Sequence, residues 1–434
     1  MKEILILGSG LVARPIIQYL LSKNYLLTVA SNTPERSDQM IAGHSNGKSV
    51  FWEASDEDTL DKMVAAHDIT VSLLPYVFHV MVARLCLKHS KNMVTTSYVK
   101  PEMKAFHEEA IQKGVILLNE CGLDPGIDHM SAMRIIDKVH ENGGAILEFY
   151  SICGALPAPE AAGNPFKYKF SWSPKGVVMA GNNEALYLRH GQVISLPAAD
   201  LFKNPFRVNF PEVGEMEVYP NRDSIAYKEI YGIPEAMTMF RGTFRYKGWC
   251  ETLDVIKRLN LISNDKFDMT GMTYADLMKH QMQDTECRIQ DETYAFQALK
   301  WLGLFDEIPM NRTIDSTFEV TSDRMIEKMV LGQTERDMVA MQHTFLAAYS
   351  DGRKEVIRSR MLDYGTLATD TSIARTVALP AAIAVEMILQ EEIRVKGVHI
   401  PVIPEIYNPI LDQLENLNIR MLEEFGLPLS ENIQ

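Results

Sequence analysis

The chain has 434 residues, of which 46% are hydrophobic, and its formal net charge at pH 7 is -14. A chain of this length is expected to contain two or three domains, because one hydrophobic core rarely serves more than about 250–300 residues. The acidic balance argues against nucleic acid as a partner, since a nucleic-acid surface requires an excess of basic residues. These properties favour a globular protein that binds a small molecule.

Cysteine usage and hydropathy indicate the compartment. The five cysteines are scattered, without the close pairs of a zinc site or the density of a secreted disulfide scaffold, so we expect a reducing, cytoplasmic environment. The first apolar run ends at Gly8, too early for a signal peptide. No later run reaches the roughly 20 apolar residues that span a bilayer, so we expect no membrane partner.

The segment EILILGSGLVARPIIQYLL, residues 3 to 21, predicts a buried strand, a Gly-Ser-Gly turn and a helix. Gly8 would permit the tight turn, Gly10 would let the backbone approach a pyrophosphate, and Ala13 takes the third small position of a dinucleotide-binding turn. The helix N-terminus would present free amides to the phosphates. Taken alone, the motif is also compatible with a glycine turn in another kind of α/β protein.

Further apolar runs follow at 26–30, 49–54, 69–75, 93–96 and 115–120, with helical patterns between most of them. Strands that alternate with helices predict an α/β fold with a Rossmann-type, doubly wound parallel sheet. Ligands of such sheets lie at the carboxyl ends of the strands. The candidate cofactor positions at these ends are Gly8, Gly10, Ser31, Asn32, Thr33, Ala54 to Asp56, Leu74, Pro75 and Thr96 to Tyr98.

The end of the second strand usually distinguishes NAD from NADP. An acidic residue there binds the ribose 2′-hydroxyl, and an arginine accommodates the 2′-phosphate. This chain has Asn32 at that point, with Arg36 one helical turn later. Both cofactors therefore stay open, with a slight preference for NAD.

After residue 143 the runs AILEFYSICGAL, FKYKFSW and MTMFRGTFRYKGW predict a second, mixed α+β sheet domain. Residues 251–335 carry helical apolar stripes and are predicted to be a helical insert. Two strand-like runs around Asp351-Gly352 predict a hairpin of the second sheet. The predicted domains are a Rossmann domain at 1–128, completed by about 366–434, a substrate domain at 129–250 and 336–365, and a helical domain at 251–335.

The stretch NECGLDPGIDHM, residues 119 to 130, lies after the sixth predicted strand. Asp128 and His129 are adjacent and point to different faces of the following helix, so we predict no metal site. Asp128 is predicted to be the N-cap of that helix and His129 a half-buried helix residue. Asp124 precedes the Pro-Gly turn at the strand edge and is the candidate for substrate contact.

Two arginines of the predicted substrate domain, Arg222 and Arg245, could hold a carboxylate through two parallel hydrogen bonds. Each is also compatible with a structural or solvated arginine. Cys121 and Cys153 have no base at fixed spacing and are interpreted as core or lining residues rather than nucleophiles.

Several motifs together resemble glutamate-forming saccharopine dehydrogenase, or saccharopine reductase, of lysine metabolism. They are GSGLVARP, SLLPY, TSYVKPEM, NECGLDPGIDHM, CGALPAPE with NPFKYKFSWSPKG, YPNRDS and RGTFRYKGW, and they cover nearly the whole chain. The resemblance implies reversible conversion of saccharopine and water, with an oxidised nicotinamide nucleotide, into glutamate and 2-aminoadipate 6-semialdehyde. It also implies a homodimer.

The resemblance further implies roles for individual residues. The nucleotide would be held by Ser9, Gly10, Leu11, Val12, Asn32 and Asp56, and saccharopine by Ser97, Tyr98, Asp124, Arg222, Gly242, Thr243 and Phe244. Asp124 would pair with a substrate amino group, and Tyr98 would donate to a carboxylate or relay a proton. No residue is marked by its spacing as a general base. Fungal members that use NADP have an arginine where this chain has Asn32, which leaves the cofactor open.

Two other functions remain open from the sequence. One is a related reductase that joins another amine and semialdehyde, similar to carboxynorspermidine dehydrogenase. The other is a non-catalytic protein that binds the dinucleotide. The intact glycine turn together with Asp124, Arg222 and Thr243 favours an enzyme over this last alternative.

Overall fold

The computed structural model describes residues 1–433 and divides into two compact units. The first unit contains Met1–Gly143 and Thr369–Leu422, and the second contains Gly144–Ala368 and the residues from Glu423 onward. The strands are β1 (Glu3–Leu7), β2 (Leu26–Ser31), β3 (Gly47–Phe51), β4 (Ile69–Ser72), β5 (Asn92–Thr95), β6 (Ile116–Leu118), β7 (Gly144–Pro157), β8 (Ala185–Arg189), β9 (Gln192–Leu196), β10 (Phe206–Phe210), β11 (Gly214–Pro220), β12 (Thr238–Tyr246), β13 (Lys266–Asp268), β14 (Ile314–Ser316), β15 (Asp337–Tyr349), β16 (Lys354–Tyr364), β17 (Gly397–His399) and β18 (Leu422–Leu427). The helices are α1 (Arg14–Ser22), α2 (Pro34–Ile41), α3 (Glu57–Ala66), α4 (His79–Lys88), α5 (Pro101–Lys104), α6 (His107–Gln112), α7 (Ile127–Glu141), α8 (Pro174–Ala180), α9 (Tyr227–Ile230), α10 (Trp249–Arg258), α11 (Tyr274–Asp284), α12 (Tyr294–Leu302), α13 (Thr317–Lys328), α14 (Ser372–Leu389) and α15 (Pro404–Asn416).

The first unit is built on a seven-stranded sheet in the order β17-β6-β5-β4-β1-β2-β3, and every neighbouring pair is parallel. Its central strands are fully buried because helices cover a parallel sheet on both faces, which explains their unbroken apolar runs. The predicted Rossmann-type sheet is confirmed. All the loops that follow its strands meet at one edge.

The returning C-terminal segment completes the first unit. Strand β17 pairs with β6, and helix α14 contains Pro380. Glu386 of α14 accepts a hydrogen bond from Tyr19 and forms an ion pair with Lys23 at 3.1 Å, which ties α14 to α1. By length and composition alone α14 could cross a membrane, but 78% of it is buried inside the protein, as in a core helix.

The second unit is built on a nine-stranded mixed sheet. Seven strands follow the order β10-β11-β12-β7-β15-β16-β18, and β8 pairs with β12 and β9. The Asp351-Gly352 hairpin between β15 and β16 is confirmed. The run FKYKFSW is not a strand, contrary to the prediction. Instead the Asn164 side chain bonds the backbone of Tyr168 in a loop, so that aromatic side chains reach the core without pairing in the sheet.

The two units differ from the predicted domains at three places. Helix α7 belongs to the first unit rather than to the substrate domain, because it packs against α15, where Tyr407 donates to Asp137. Strand β18 joins the sheet of the second unit, so the final residues do not complete the Rossmann domain. The helical segment 251–335 contains most of α10 and all of α11 to α13 but falls within the second unit, whose core its side chains share.

Candidate active site

The turn between β1 and α1 fits a dinucleotide pyrophosphate. Gly8 has φ +103°, and a Cβ added there would lie 3.2 Å from the carbonyl oxygen of Leu73, so a larger residue would be strained. A Cβ at Gly10 would meet no heavy atom within 4 Å, which leaves the backbone open to a ligand. The amides of Leu11 and Val12 make no backbone hydrogen bond with residues 1–433, and they are available to an anion.

Four hydroxyl groups connect this turn to the end of β2. Ser9 Oγ lies 3.0 Å from Ser31 Oγ and 3.2 Å from Thr33 Oγ1, and Ser31 Oγ lies 3.0 Å from Ser37 Oγ. Ser9 and Ser31 are 5% exposed. The Ser9 side chain is therefore part of the scaffold, and its predicted contact with the nucleotide would involve its backbone.

The two residues that bear on cofactor choice are both exposed. Asn32 follows β2 directly, and Arg36 lies in the first turns of α2. Arg36 forms no ion pair with any residue in the described part of the chain. Its guanidinium is available to an anionic ligand.

The other predicted cofactor positions differ in environment. Asp56 is exposed and caps α3, because its carboxylate accepts the Thr59 amide at 3.0 Å, and the hydrogen bonds from Thr59 hold its pKa below the usual value. The Trp52 indole donates to the Asp56 carbonyl at 2.8 Å. Leu74 packs against the core, whereas Pro75 is exposed. Contacts of these residues with the nucleotide stay predictions.

The loops after β5 and β6 hold each other through Glu120. Its amide donates to the Ser97 carbonyl at 3.1 Å, and its carboxylate Oε1 accepts the Val99 amide at 2.8 Å. Tyr98 lies between these two contacts. The Tyr98 hydroxyl donates to Asp124 Oδ1 at 3.2 Å, so the structure brings together two of the predicted catalytic and substrate residues.

The stretch NECGLDPGIDHM differs from its predicted geometry at two residues. The helix α7 begins at Ile127 after Gly126, whose φ is +146°, so Asp128 lies inside the helix and is not its N-cap. The Asp128 carboxylate nevertheless accepts the Gly126 amide at 2.6 Å. His129 is fully buried rather than half-buried, and its Nε2 lies 2.7 Å from Oε2 of Glu120.

Two further residues of this loop, Cys121 and Gly122, are explained by packing. Cys121 is fully buried, and burial raises the pKa of its thiol, which argues against a nucleophile. A Cβ added at Gly122 would lie 3.1 Å from the Cβ of Thr96, so the two loops pack tightly at this point. Residues 1–433 contain no group of three or more His, Cys, Asp or Glu side chains placed to hold a metal ion.

Sequence reasoning missed His79, the first residue of α4. Its Nδ1 lies 2.9 Å from Ser72 Oγ, and its Nε2 lies 2.8 Å from Ser97 Oγ and 3.3 Å from Thr95 Oγ1. The ring therefore joins the ends of β4 and β5 beneath a predicted substrate residue. The partners are 7, 18 and 16 residues away in sequence, and no short motif signals such an arrangement.

A positive charge lies beside this network. The Lys100 ammonium lies 4.1 Å from the centroid of the exposed Tyr76 ring and has no carboxylate partner among the described residues. Burial, and then the charge of Lys100, lower the pKa of His79 to about 4, so the imidazole is neutral at pH 7.

In the second unit the predicted turn Gly242-Thr243-Phe244 is instead the middle of β12. Phe244 is fully buried in the core, so its side chain cannot hold a ligand. A Cβ at Gly242 would lie 2.6 Å from Phe240 and 2.7 Å from Val218, which explains the glycine by packing. Thr243 is the one member of the three whose side chain is only partly buried.

The two arginines of this unit have different environments. Arg222 is exposed on the loop after β11 with φ +52°, and its carbonyl accepts the Leu186 amide. Arg245 is buried, with its guanidinium 5.0 Å from the Tyr168 ring and 5.2 Å from the Trp249 ring. Arg245 is therefore structural, while the role of Arg222 stays a prediction.

Comparison with known proteins identifies the family. The family model described as "Saccharopine dehydrogenase NADP binding domain" matches residues 4–118, and "Saccharopine dehydrogenase C-terminal domain" matches residues 122–419. Saccharopine dehydrogenase [NADP(+), L-glutamate-forming] from Schizosaccharomyces pombe is 36% identical over 98% of this chain and 99% of its own. Alpha-aminoadipic semialdehyde synthase, mitochondrial, from Bos taurus is 36% identical over 95% of this chain and 47% of its own.

A solved structure agrees. Saccharopine dehydrogenase (L-Glu forming) from Saccharomyces cerevisiae matches with a TM-score of 0.91 at 33% identity, over 98% of this chain and 100% of its own. The prediction of a nicotinamide dinucleotide is confirmed, and the preference for NAD inferred from Asn32 is contradicted by the NADP-binding family. The chain belongs to the saccharopine dehydrogenase family and is an oxidoreductase related to its L-glutamate-forming members.

Proposed function

We propose that this chain interconverts saccharopine with glutamate and 2-aminoadipate 6-semialdehyde, as an enzyme of lysine metabolism. The observation that carries the proposal is the position of Ser97, Tyr98 and Asp124. They follow β5 and β6 at the sheet edge where the glycine turn follows β1, so the predicted substrate residues and the open turn share one edge.

The dinucleotide supplies the acceptor for the hydride that leaves the carbon beside the secondary amine of saccharopine. The chain's own residues bind and orient the substrate, and water then splits the resulting imine. Asp124 accepts a hydrogen bond from Tyr98 through Oδ1, and a carboxylate at this position is the group that would pair with a substrate amino group. Ser97 and Lys100 provide a donor and a positive charge for substrate carboxylates.

We also infer that the preferred cofactor is NADP. Arg36 supports this inference, because it is exposed, follows β2 and has no ion pair in the described chain. An arginine in this region binds the 2′-phosphate that distinguishes NADP from NAD.

A steady-state assay tests both statements. With purified protein and saccharopine, we expect reduction of NADP, formation of glutamate, and a kcat/KM at least about 10-fold higher with NADP than with NAD, since one ionic contact to a phosphate contributes about 1.5–3 kcal/mol. Turnover only when another amine, such as a diamine, is paired with a semialdehyde would contradict the substrate. Nucleotide binding without turnover on any such pair would identify a non-catalytic protein instead.

Three further points stay predictions. The protein is expected in the cytoplasm and as a homodimer. Arg222 is expected to bind a substrate carboxylate, which its exposure permits.

A further inference from the structure

We propose that His79 is a positioning residue that directs the hydroxyl group of Ser97 toward a carboxylate of saccharopine. The inference rests on the proposed function, because it uses Ser97 as a substrate-binding residue. His79 itself is 4% exposed and lies beneath Ser97, so it acts through Ser97 rather than by touching the substrate.

The direction of the hydrogen bonds follows from Ser72. Its hydroxyl is fully buried, and its one hydrogen-bond partner in the described chain is Nδ1 of His79, at 2.9 Å. A buried hydroxyl that does not donate its hydrogen loses a hydrogen bond to water without replacement. The Ser72 hydroxyl therefore donates to Nδ1, which must be the acceptor nitrogen of the ring.

The tautomer of His79 then determines what Ser97 can do. A neutral imidazole has one acceptor and one donor nitrogen, so Nε2 carries the hydrogen. It donates mainly to Ser97 Oγ at 2.8 Å, while Thr95 Oγ1 is farther away at 3.3 Å and also accepts the Ser97 amide. The Ser97 oxygen is used as an acceptor, and its own O–H remains available for an anionic ligand.

The surroundings keep the ring in this neutral state. Burial and the nearby charge of Lys100 both disfavour protonation. The ring is also fixed at both ends, because Ser72 ends β4 and Ser97 follows β5. The result is a hydrogen-bond chain of defined direction, from Ser72 through His79 to Ser97 and then to the substrate.

Two substitutions of His79 distinguish the contact made by Nδ1 from the contact made by Nε2. The amide of His79→Asn lies near the position of Nδ1 and cannot reach Ser97, whereas the longer His79→Gln side chain can place an amide N–H near the position of Nε2. We expect His79→Asn to raise the KM for saccharopine about 10-fold, and His79→Gln to recover most of that loss. The KM for NADP should stay near the wild-type value in both variants. The two variants should also have nearly the same Tm.

A double-mutant cycle gives the readout that a purely structural role would not produce. Ser97→Ala should also raise the saccharopine KM about 10-fold, and adding His79→Asn to it should cause little further change, since both remove the same interaction. His89→Gln, at the C-cap of α4, is the matched control and should leave KM unchanged, because His89 contacts Asp61 of α3 rather than Ser72 or Ser97.

The outcomes distinguish the two levels of the proposal. If Ser97→Ala impairs saccharopine binding but His79→Asn does not, or if their effects multiply, the positioning role of His79 is wrong and the proposed function stands. If Ser97→Ala leaves the saccharopine KM unchanged, the assignment of Ser97 as a substrate residue is wrong, and the inference about His79 is overturned with it.

Discussion

Two regions that resemble a substrate site differ in their relation to a strand. The strand-end region, defined as Ser97, Tyr98 and Asp124, follows β5 and β6 in the first unit, and its polar side chains are only partly buried. The mid-strand region, defined as Gly242, Thr243 and Phe244, lies inside β12 of the second unit. A residue that follows a strand can direct its backbone and side chain to a ligand, whereas a residue inside a strand has its backbone paired and alternate side chains in the core.

A motif shared with a family therefore contains both residues that can contact a ligand and residues that serve packing. In the strand-end region Tyr98 and Asp124 form a hydrogen bond, and both side chains are exposed enough for a substrate to contact them. In the mid-strand region Gly242 and Phe244 are explained by packing, and only Thr243 has an accessible side chain. The two regions should therefore respond differently to substitution.

The largest effect is expected from Phe244→Ala, which should lower the free energy of unfolding by about 3–5 kcal/mol, because it removes a fully buried ring and leaves a cavity. Denaturant unfolding measures this change, and Phe244→Leu should give a smaller one. The KM for saccharopine, measured on folded protein at low temperature, should stay near the wild-type value. Weakened substrate binding with unchanged stability would place the Phe244 side chain in the substrate site and remove the contrast.

A smaller energetic effect, but one on activity, is expected from Asp124→Asn. The substitution keeps the shape of the side chain and removes its charge, so kcat/KM for saccharopine should fall about 100-fold, or about 2.7 kcal/mol. Stability should change little, and the exposed Asp58→Asn on α3 is the control for loss of one negative charge. Wild-type turnover and KM in Asp124→Asn would remove Asp124 from the active site.

The smallest of the three is expected from Arg36→Gln, which extends the comparison to another strand end. It should lower kcat/KM with NADP about 10-fold, or about 1.4 kcal/mol, and leave kcat/KM with NAD nearly unchanged, because NAD lacks the 2′-phosphate. Glu35→Gln on the same helix is the control. An equal loss with both cofactors would show that Arg36 has no role in choosing between them.

Much of the first unit could be predicted because its strands and its glycine turn are specified by residues that are close together in the sequence. A strand buried on both faces appears as an unbroken apolar run, and a glycine turn before a helix has a recognisable pattern. The second unit was less predictable. FKYKFSW has strand-like composition, yet it forms a loop in which the Asn164 side chain bonds the backbone of Tyr168. Its aromatic side chains pack in the core without a paired backbone.

Single residues of the site show the same limit. Asp128 has the sequence position of an N-cap, but the turn at Gly126 starts the helix two residues earlier than that assignment requires. The buried hydrogen-bond partner of His129 is Glu120, which is nine residues away across the turn. Arg222 and Arg245 look equivalent in sequence, and only packing separates an exposed arginine from one enclosed by aromatic rings.

The class of sheet, the glycine turn and the motifs that identify the family could all be inferred from the sequence, since each depends on residues close together in the chain. The strands that complete each sheet, the accessibility of the motif residues and the link from Ser72 through His79 to Ser97 became visible only in the folded structure. These features depend on contacts between segments that are distant in the sequence. Whether a polar side chain is buried or exposed then decides whether it needs a partner inside the protein or can bind a ligand. The amino-acid composition of the chain does not specify which distant segments make those contacts.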